Sequence, residues 1–240
     1  MDTTTQPVEH SRSVEDFLKA VYTVQQAQQA VDETSEGRAS TNALAEILAI
    51  SPPSVTDMAR RMVNAGLVDY RKYRGVRLTE EGRTVALRMI RRHRLIELYL
   101  VEELGYELHE VHHEAESLEH AVSDRFVQAI AQKLGNPTVD PHGDPIPSVD
   151  GRVLARDLIP LTELAPGNRA QVSRFVAEND AMLQHILERN FHLGSWVEMV
   201  NQDPFEGPVT ALVENEEQVI GYQVARCILV DLPSSRKVDT

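Results

Sequence analysis

The chain has one cysteine, Cys227, so its 240 residues cannot close an internal disulfide and a cross-linked secreted framework is excluded. No apolar run approaches the roughly 20 residues that a membrane-spanning helix needs, so no membrane partner is expected. The opening segment MDTTTQPVEHSRS lacks the apolar core of a signal peptide, which points to the cytoplasm. Also missing are a phosphate-cradling glycine loop and any nucleophile motif, so no small-molecule substrate is expected. An enzyme reading survives only as a carboxylate-bridged two-metal catalyst in a helical bundle. Positive charge is short as well, since a net charge of −13 argues on average against a polyphosphate partner. What the chain does have is 42% hydrophobic residues, enough to bury real cores in two or three pieces.

The average charge hides a local reversal. Between Pro52 and Arg94 eleven Lys/Arg stand against four Asp/Glu, a balance of +7 that leaves −20 for the remainder. The same stretch carries a helix-turn-helix pattern. "VEDFLKAVYTV" spaces Phe17, Leu18, Val21 and Tyr22 as one face of a first helix, with Ser13 as its cap. "TNALAEILAI" gives a short second helix. In "SPPSVTDMARRMVNAGLV", Ser51 caps, Pro52 or Pro53 fits the first turn, Val55, Met58, Ala59 and Met62 form the buried side, and Gly66 ends the helix. "LVDYRKYRGVRLTEEGR" then alternates as a strand, turns at Lys72, Tyr73, Arg74 and Gly75, and returns, a two-stranded wing with cations at its tip. Such a pair places the third helix in the major groove of double-stranded DNA and the wing on the phosphate backbone. Pro53, Ser54, Thr56, Asp57, Arg60 and Arg61 are the helix residues free to meet DNA. Ser54, Thr56 and Asp57 reach for base edges, and the arginines for phosphates together with Arg71, Lys72 and Arg74 of the wing.

The stretch HRLIELYLVEELGYELHEVHHEAESLEH, His93 to His120, holds more carboxylate and imidazole than a solvated face requires. His93 and Glu97 are one helical turn apart; His112, Glu116, Glu119 and His120 share one side of a helix within about 100° of rotation. Two readings fit this spacing: a divalent-cation site of mixed nitrogen and oxygen donors, or the acidic wet face of an amphipathic helix.

In order along the chain, "VEDFLKAVY", "SPPSVTDMARRM", "KYRGVRLTEEG", "RRHRLIELYL", "EVHHEAESLEHAVSD" and "PHGDPIPSVDG" resemble the successive blocks of the diphtheria-toxin-repressor family of metal-activated transcriptional repressors. The resemblance runs from about Ser13 to Gly151. It implies a winged helix, a helical domain for dimerisation and metal binding, an SH3-like C-terminal barrel in longer members, and a metal-loaded homodimer on a two-fold symmetric operator. It also implies a primary metal site of Asp16, Glu116, Glu119 and His120. Iron-sensing members have methionine and cysteine where Asp16 and Glu116 stand, whereas manganese-sensing members have carboxylates. Hard oxygen donors suit Mn(II), with Fe(II) as the alternative and an iron-responsive repressor as the corresponding second reading. Manganese-sensing members keep a glutamate one turn beyond the Asp16 position to help hold a second ion, and here Lys19 replaces it. His93, Glu97 and His112 match the ancillary site of iron-sensing members, which two C-terminal side chains complete; Glu178, or alternatively Asp180, falls near the first of these. His109 and His113 neighbour the set as surface histidines or alternative ligands.

The remaining residues are expected to be a proline-rich tether followed by a small β domain. "GNPTVDPHGDPIPSVDG" has four prolines and no periodicity. Beyond it come a turn and strand, a short helix leading into a strand, then alternating strands and a last buried strand containing Cys227, with Phe191 and Trp196 in the core. The expected architecture is mainly α with a C-terminal β part: a winged helix-turn-helix over 1–80, a helical dimerisation and metal-binding domain over 81–135, a linker over 136–151, and an SH3-like small barrel over 152–240.

Overall fold

A computed structural model describes residues 11–31, 37–154, 156–177 and 179–232. The chain divides into two compact units, one comprising residues 1–92 with 147–152 and the other 93–146 with 153–240. The architecture is a winged helix-turn-helix, a helical part and a C-terminal β sheet. No helix among the described residues is long and apolar enough to cross a membrane.

In the first unit, α1 (Arg12–Val31), α2 (Thr41–Ile47) and α3 (Pro52–Asn64) precede a hairpin of β1 (Val68–Arg71) and β2 (Gly75–Leu78). α1 begins before the expected cap: the amides of Val14 and Glu15 both donate to the Ser11 carbonyl, so Ser13 lies inside the first turn. Phe17, Leu18 and Val21 are fully buried on its inner face. Ser40 caps α2 by accepting from the Ala43 amide, and Ser51 caps α3 by accepting from that of Ser54, with Pro52 and Pro53 opening the helix. Val55, Ala59 and Met62 bury one stripe of α3, while Met58 is only half-buried. Thr79 starts the fourth helix, α4 (Glu80–Leu104), its hydroxyl accepting from the Gly82 amide and donating to the Gly66 carbonyl.

The hairpin is braced at its base. Ala39 and Val76 exchange backbone hydrogen bonds of 2.8 and 2.9 Å, and the nearly buried Arg38 guanidinium pairs with Asp69 on β1. Gly75 makes this fit: a Cβ there would lie 2.3 Å from the Ala39 carbonyl oxygen, and its φ of 96° is one that only glycine adopts without strain.

In the second unit, the later half of α4 packs with α5 (Val111–Leu118) and α6 (Asp124–Lys133) through Leu95, Ile96, Leu98, Leu100, Val111, Ala115 and Ile130. The segment expected as an extended tether is folded instead. Asp140 is buried; one carboxylate oxygen accepts the amides of His142 and Asp144, each at 2.9 Å, while Val139 bridges Pro145. From α4, Arg94 donates to the Pro145 carbonyl and lies 3.5 Å from Asp140. Proline and glycine erase periodicity in folded turns as thoroughly as in tethers, so the two look alike in sequence.

A six-stranded antiparallel sheet follows, in the order β3-β8-β4-β5-β6-β7, where β3 is Ile159–Pro160, β4 Arg169–Phe175, β5 Trp196–Gln202, β6 Val209–Val213, β7 Glu216–Ile220 and β8 Ile228–Asp231. Among the described residues β3 and β7 do not pair, so the sheet stays open. α7 (Asp180–Leu187), capped by Asn179, and the single turn α8 (Tyr222–Ala225) cover its core of Leu161, Val172, Ile186, Phe191, Val197, Met199 and Ile228. Two expectations are corrected here. Cys227 is buried in the turn between α8 and β8, because "GYQVARC" forms a helical turn before the strand begins. Trp196 is 40% exposed, its ring lying under the Arg169 guanidinium at 5.6 Å, because its position on β5 faces away from the core that Val197 enters.

Gly75→Ala is expected to destabilise the protein by about 2–3 kcal/mol, through steric overlap with Ala39 and backbone strain together. Thermal unfolding followed by circular dichroism checks this, and an unchanged midpoint contradicts the docking of the wing base.

Candidate metal centre and nucleic-acid interface

α4 places His93 and Glu97 one turn apart on its inward side, so both side chains are almost fully buried. Glu97 Oε1 lies 2.9 Å from His93 Nε2 and 3.2 Å from Nδ1 of His112, near the start of α5. The two imidazoles approach to 3.2 Å, Nε2 to Nδ1. The other ring nitrogen of His93 meets Glu119 Oε2 at 2.6 Å. Carboxylates therefore face both nitrogens of His93. A neutral imidazole has one N–H, so both contacts are hydrogen bonds when the ring carries two protons or when one of the two carboxyls is protonated. Burial alone would raise the pKa of Glu97. The hydrogen bonds from His112 and His93, with the positive potential of His93 and His142, outweigh it and hold the carboxyl well below its usual range.

The folded turn adds two residues that were absent from the sequence expectation. His142 Nδ1 lies 3.9 Å from Glu97 Oε2, and Asp140 sits in the same group. Burial, the Asp144 charge and the Glu97 charge push the Asp140 carboxyl up to about 8, against the pull of Arg94. Burial lowers the His142 pKa despite Glu97 and Asp144, which favours the ring form with a free lone pair. The ligand atoms of His93, Glu97 and His112, and separately those of Glu97, Asp140 and His142, lie within 4.8 Å of one another, with Glu97 common to both sets. Imidazole nitrogen and carboxylate oxygen at this spacing fit a first-row divalent ion. The sequence signal for the added pair was present in "DPHGD", where a histidine and two aspartates fall within five residues.

The other expected ligands are placed as follows. α5 ends at Leu118; Glu119 is its C-cap, still right-handed helical with its amide donating to the Ala115 carbonyl, and His120 lies in the turn that follows. Glu119 is buried, and its Oε1 lies 3.4 Å from His120 Nε2. Glu116 is half-exposed, 3.3 Å from His112. Asp16, in the other unit, is half-buried on α1 and 3.8 Å from Arg12. Glu178 lies outside the described residues, and Asp180 is exposed at the start of α7. His113 is exposed and His109 half-buried.

In the first unit, Pro53, Ser54, Asp57, Arg60 and Arg61 are exposed on α3. Asp57 lies 3.5 Å from Arg60, and the Thr56 hydroxyl donates to the Pro52 carbonyl, which occupies its proton within the helix. Arg71, Lys72 and Arg74 are exposed at the wing, closed by the Arg74 amide donating to the Arg71 carbonyl.

Comparison with known proteins agrees with this layout. A family model described as the N-terminal DNA binding domain of the iron dependent repressor matches residues 9–76, and its metal binding and dimerisation domain matches 79–148. A FeoA domain model matches 159–232. The diphtheria toxin repressor of Corynebacterium glutamicum is 31% identical over 170 residues, which cover 66% of this chain and 74% of that protein. The iron-dependent repressor IdeR of Mycobacterium leprae is 36% identical over 136 residues, 54% of this chain and 59% of its own length. Among solved structures, a manganese-dependent transcriptional repressor in complex with manganese has a TM-score of 0.80 at 37% identity, over 92% of this chain and 100% of the other. ScaR with bound Zn2+ has a TM-score of 0.71 at 29% identity, over 92% and 99%.

Glu97→Gln, which removes the charge shared by both ligand sets, is expected to lower the number of Mn(II) ions bound per protomer by about one in calorimetric titration. An unchanged stoichiometry places the ion elsewhere.

Proposed function

Since the chain belongs to the diphtheria-toxin-repressor family of metal-dependent transcriptional repressors, we propose that it is a manganese-responsive repressor acting in the cytoplasm. In this reading a metal-loaded homodimer binds a two-fold symmetric operator and controls genes of metal homeostasis; the chain acts by binding and not by turnover. The observation that carries the reading is the buried Glu97 with His93 and His112 around it, in a chain whose α3 and wing expose a basic surface.

Two ligand sets are proposed. Asp16, Glu116, Glu119 and His120 are assigned by their correspondence to the family's primary ligand positions. His93, Glu97 and His112 form the second set, with His142 and Asp140 added from the geometry above and Glu178 retained from the motif correspondence. Bound there, a divalent cation supplies the positive charge that removes repulsion among these carboxylates. The chain's own residues do the rest. His93 bridges Glu97 and Glu119, so the orientation of one carboxylate is coupled to that of the other. Pro53, Ser54, Thr56, Asp57, Arg60 and Arg61 of α3 meet the major groove, and Arg71, Lys72 and Arg74 the phosphates. Coupling between the metal and DNA sites of about 1–3 kcal/mol is reciprocal, so operator DNA tightens metal binding by the factor by which metal tightens DNA.

Mn(II) is preferred because Asp16 and Glu116 bring hard oxygen where sulfur would select softer metals. The likeness to manganese-dependent repressor structures supports this choice. Fe(II) is the second reading, favoured by the likeness to iron-dependent repressors and by the close match of the two ions in ligand preference.

Asp16→Ala is expected to weaken Mn(II)-dependent operator binding by at least about tenfold, with little change in the thermal stability of the metal-free protein. Gel shift across a Mn(II) series checks this, and an unchanged metal dependence removes Asp16 from the ligand set.

A further inference from the structure

Tyr73 is out of place by every local rule. It is the tip of the β1–β2 hairpin, 92% exposed, with a φ of 66°. At an exposed left-handed position glycine, asparagine or aspartate is favoured, because a bulky side chain crowds its own backbone there. An aromatic ring held in that conformation in water gains no burial in return. The stalk beneath it is firm: Gly75 packs against the Ala39 carbonyl, Ala39 and Val76 exchange two hydrogen bonds, and Arg38 pairs with Asp69. Tyr73 is therefore presented by a braced support.

Its neighbours indicate the partner. Arg71, Lys72 and Arg74 are all exposed, and the Lys72 ammonium lies 4.9 Å from the centroid of the Tyr73 ring. Among the described residues the other aromatic with positive φ, Phe205, is fully exposed on the β5–β6 connection but flanked by Asp203 and Glu206. The two tips have opposite electrostatic character, and only the Tyr73 tip complements a polyanion. A narrow groove walled by phosphates accepts a flat ring between them and places cations on either side along the walls. The minor groove, about 6 Å wide, has this form. At A·T pairs its floor carries only acceptors, adenine N3 and thymine O2, and its negative potential is enhanced where it narrows.

We infer that Tyr73 is a DNA-reading residue: its ring enters the minor groove beside the segment met by α3, and its phenol O–H donates to adenine N3 or thymine O2. Lys72 and Arg74 hold the flanking phosphates. The wing thereby adds a preference for A·T at a step that α3 does not contact, because the guanine amino group would occupy the space of the phenol. This inference rests on the DNA-binding reading above.

The test uses the full chain with Mn(II) and a duplex selected from a random pool by the wild-type protein, with the wing position located by footprinting. Replacing adenine there by 2,6-diaminopurine adds an amino group to the minor groove alone, whereas replacing A·T by hypoxanthine·C alters the major groove alone. Wild-type affinity is expected to fall about tenfold with diaminopurine and to hold with hypoxanthine. Tyr73→Ala is expected to bind the unmodified duplex about tenfold more weakly and to ignore both replacements. Tyr73→Asn should lose the same discrimination while raising the unfolding midpoint by about 2 °C, since asparagine tolerates the left-handed backbone. Discrimination retained by Tyr73→Ala, sensitivity of the wild type to hypoxanthine instead of diaminopurine, or a midpoint lowered by Tyr73→Asn overturns the inference. If the wild type binds a selected duplex and Tyr73→Ala matches it, only the role of Tyr73 falls. If the wild type selects no duplex, the DNA-binding reading falls and this inference with it.

Discussion

A buried carboxylate must be neutralised, and in this chain Glu97 imposes that requirement on its surroundings. Placed in the interior by the apolar packing of Leu95, Ile96 and Leu98, it loses water and needs positive charge or hydrogen bonds in exchange. His93 and His112 supply them directly, with His142 nearby, and His93 extends the arrangement to the buried Glu119. Each imidazole–carboxylate contact is held by a proton, and in the proposed reading a divalent cation competes for the same lone pairs. In the proposed reading, sensitivity to metal arises because His93, Glu97 and Glu119 are buried together and cannot relax into solvent when their charge changes.

The second constraint is the separation of charge along the chain. Residues 52–94 are basic and the remainder strongly acidic. Within the first unit α3 exposes Arg60 and Arg61 and the wing exposes Arg71, Lys72 and Arg74, on a support that capping serines, the Gly75 approach and the Arg38–Asp69 pair make firm. Phosphate contact needs such cations, and specificity needs them held in one geometry. The acidic part does not oppose DNA binding where its charge is taken up in ligand clusters and ion pairs such as Arg94 with Asp140 and Asp144.

Much of this was legible in the sequence because local rules decided it. Ser51, Pro52 and Pro53 ahead of the Val55, Ala59, Met62 stripe mark α3 from cap to core, and the alternation around "KYRG" marks the wing. The pairing of His93 with Glu97 follows from helical spacing alone. What could not be read depends on distant partners. Asp140 and His142 lie more than forty residues from Glu97, in a stretch whose prolines look the same in a tether and in a folded turn. Trp196 is large and apolar, and only the register of β5 decides that Val197 faces inward in its place. Nor does composition reveal that α5 gives way to a turn after Leu118, because no glycine or proline stands there to signal the end.

Anomalous diffraction at the manganese absorption edge, from crystals of the full chain grown with Mn(II), tests the central claim most directly. The account requires a peak within bonding distance of the Glu97 carboxylate and the His93 or His112 imidazole, and a second beside Glu119 and His120. A fully loaded protein whose peaks all lie among surface carboxylates, with His93 still hydrogen-bonded between Glu97 and Glu119, contradicts it.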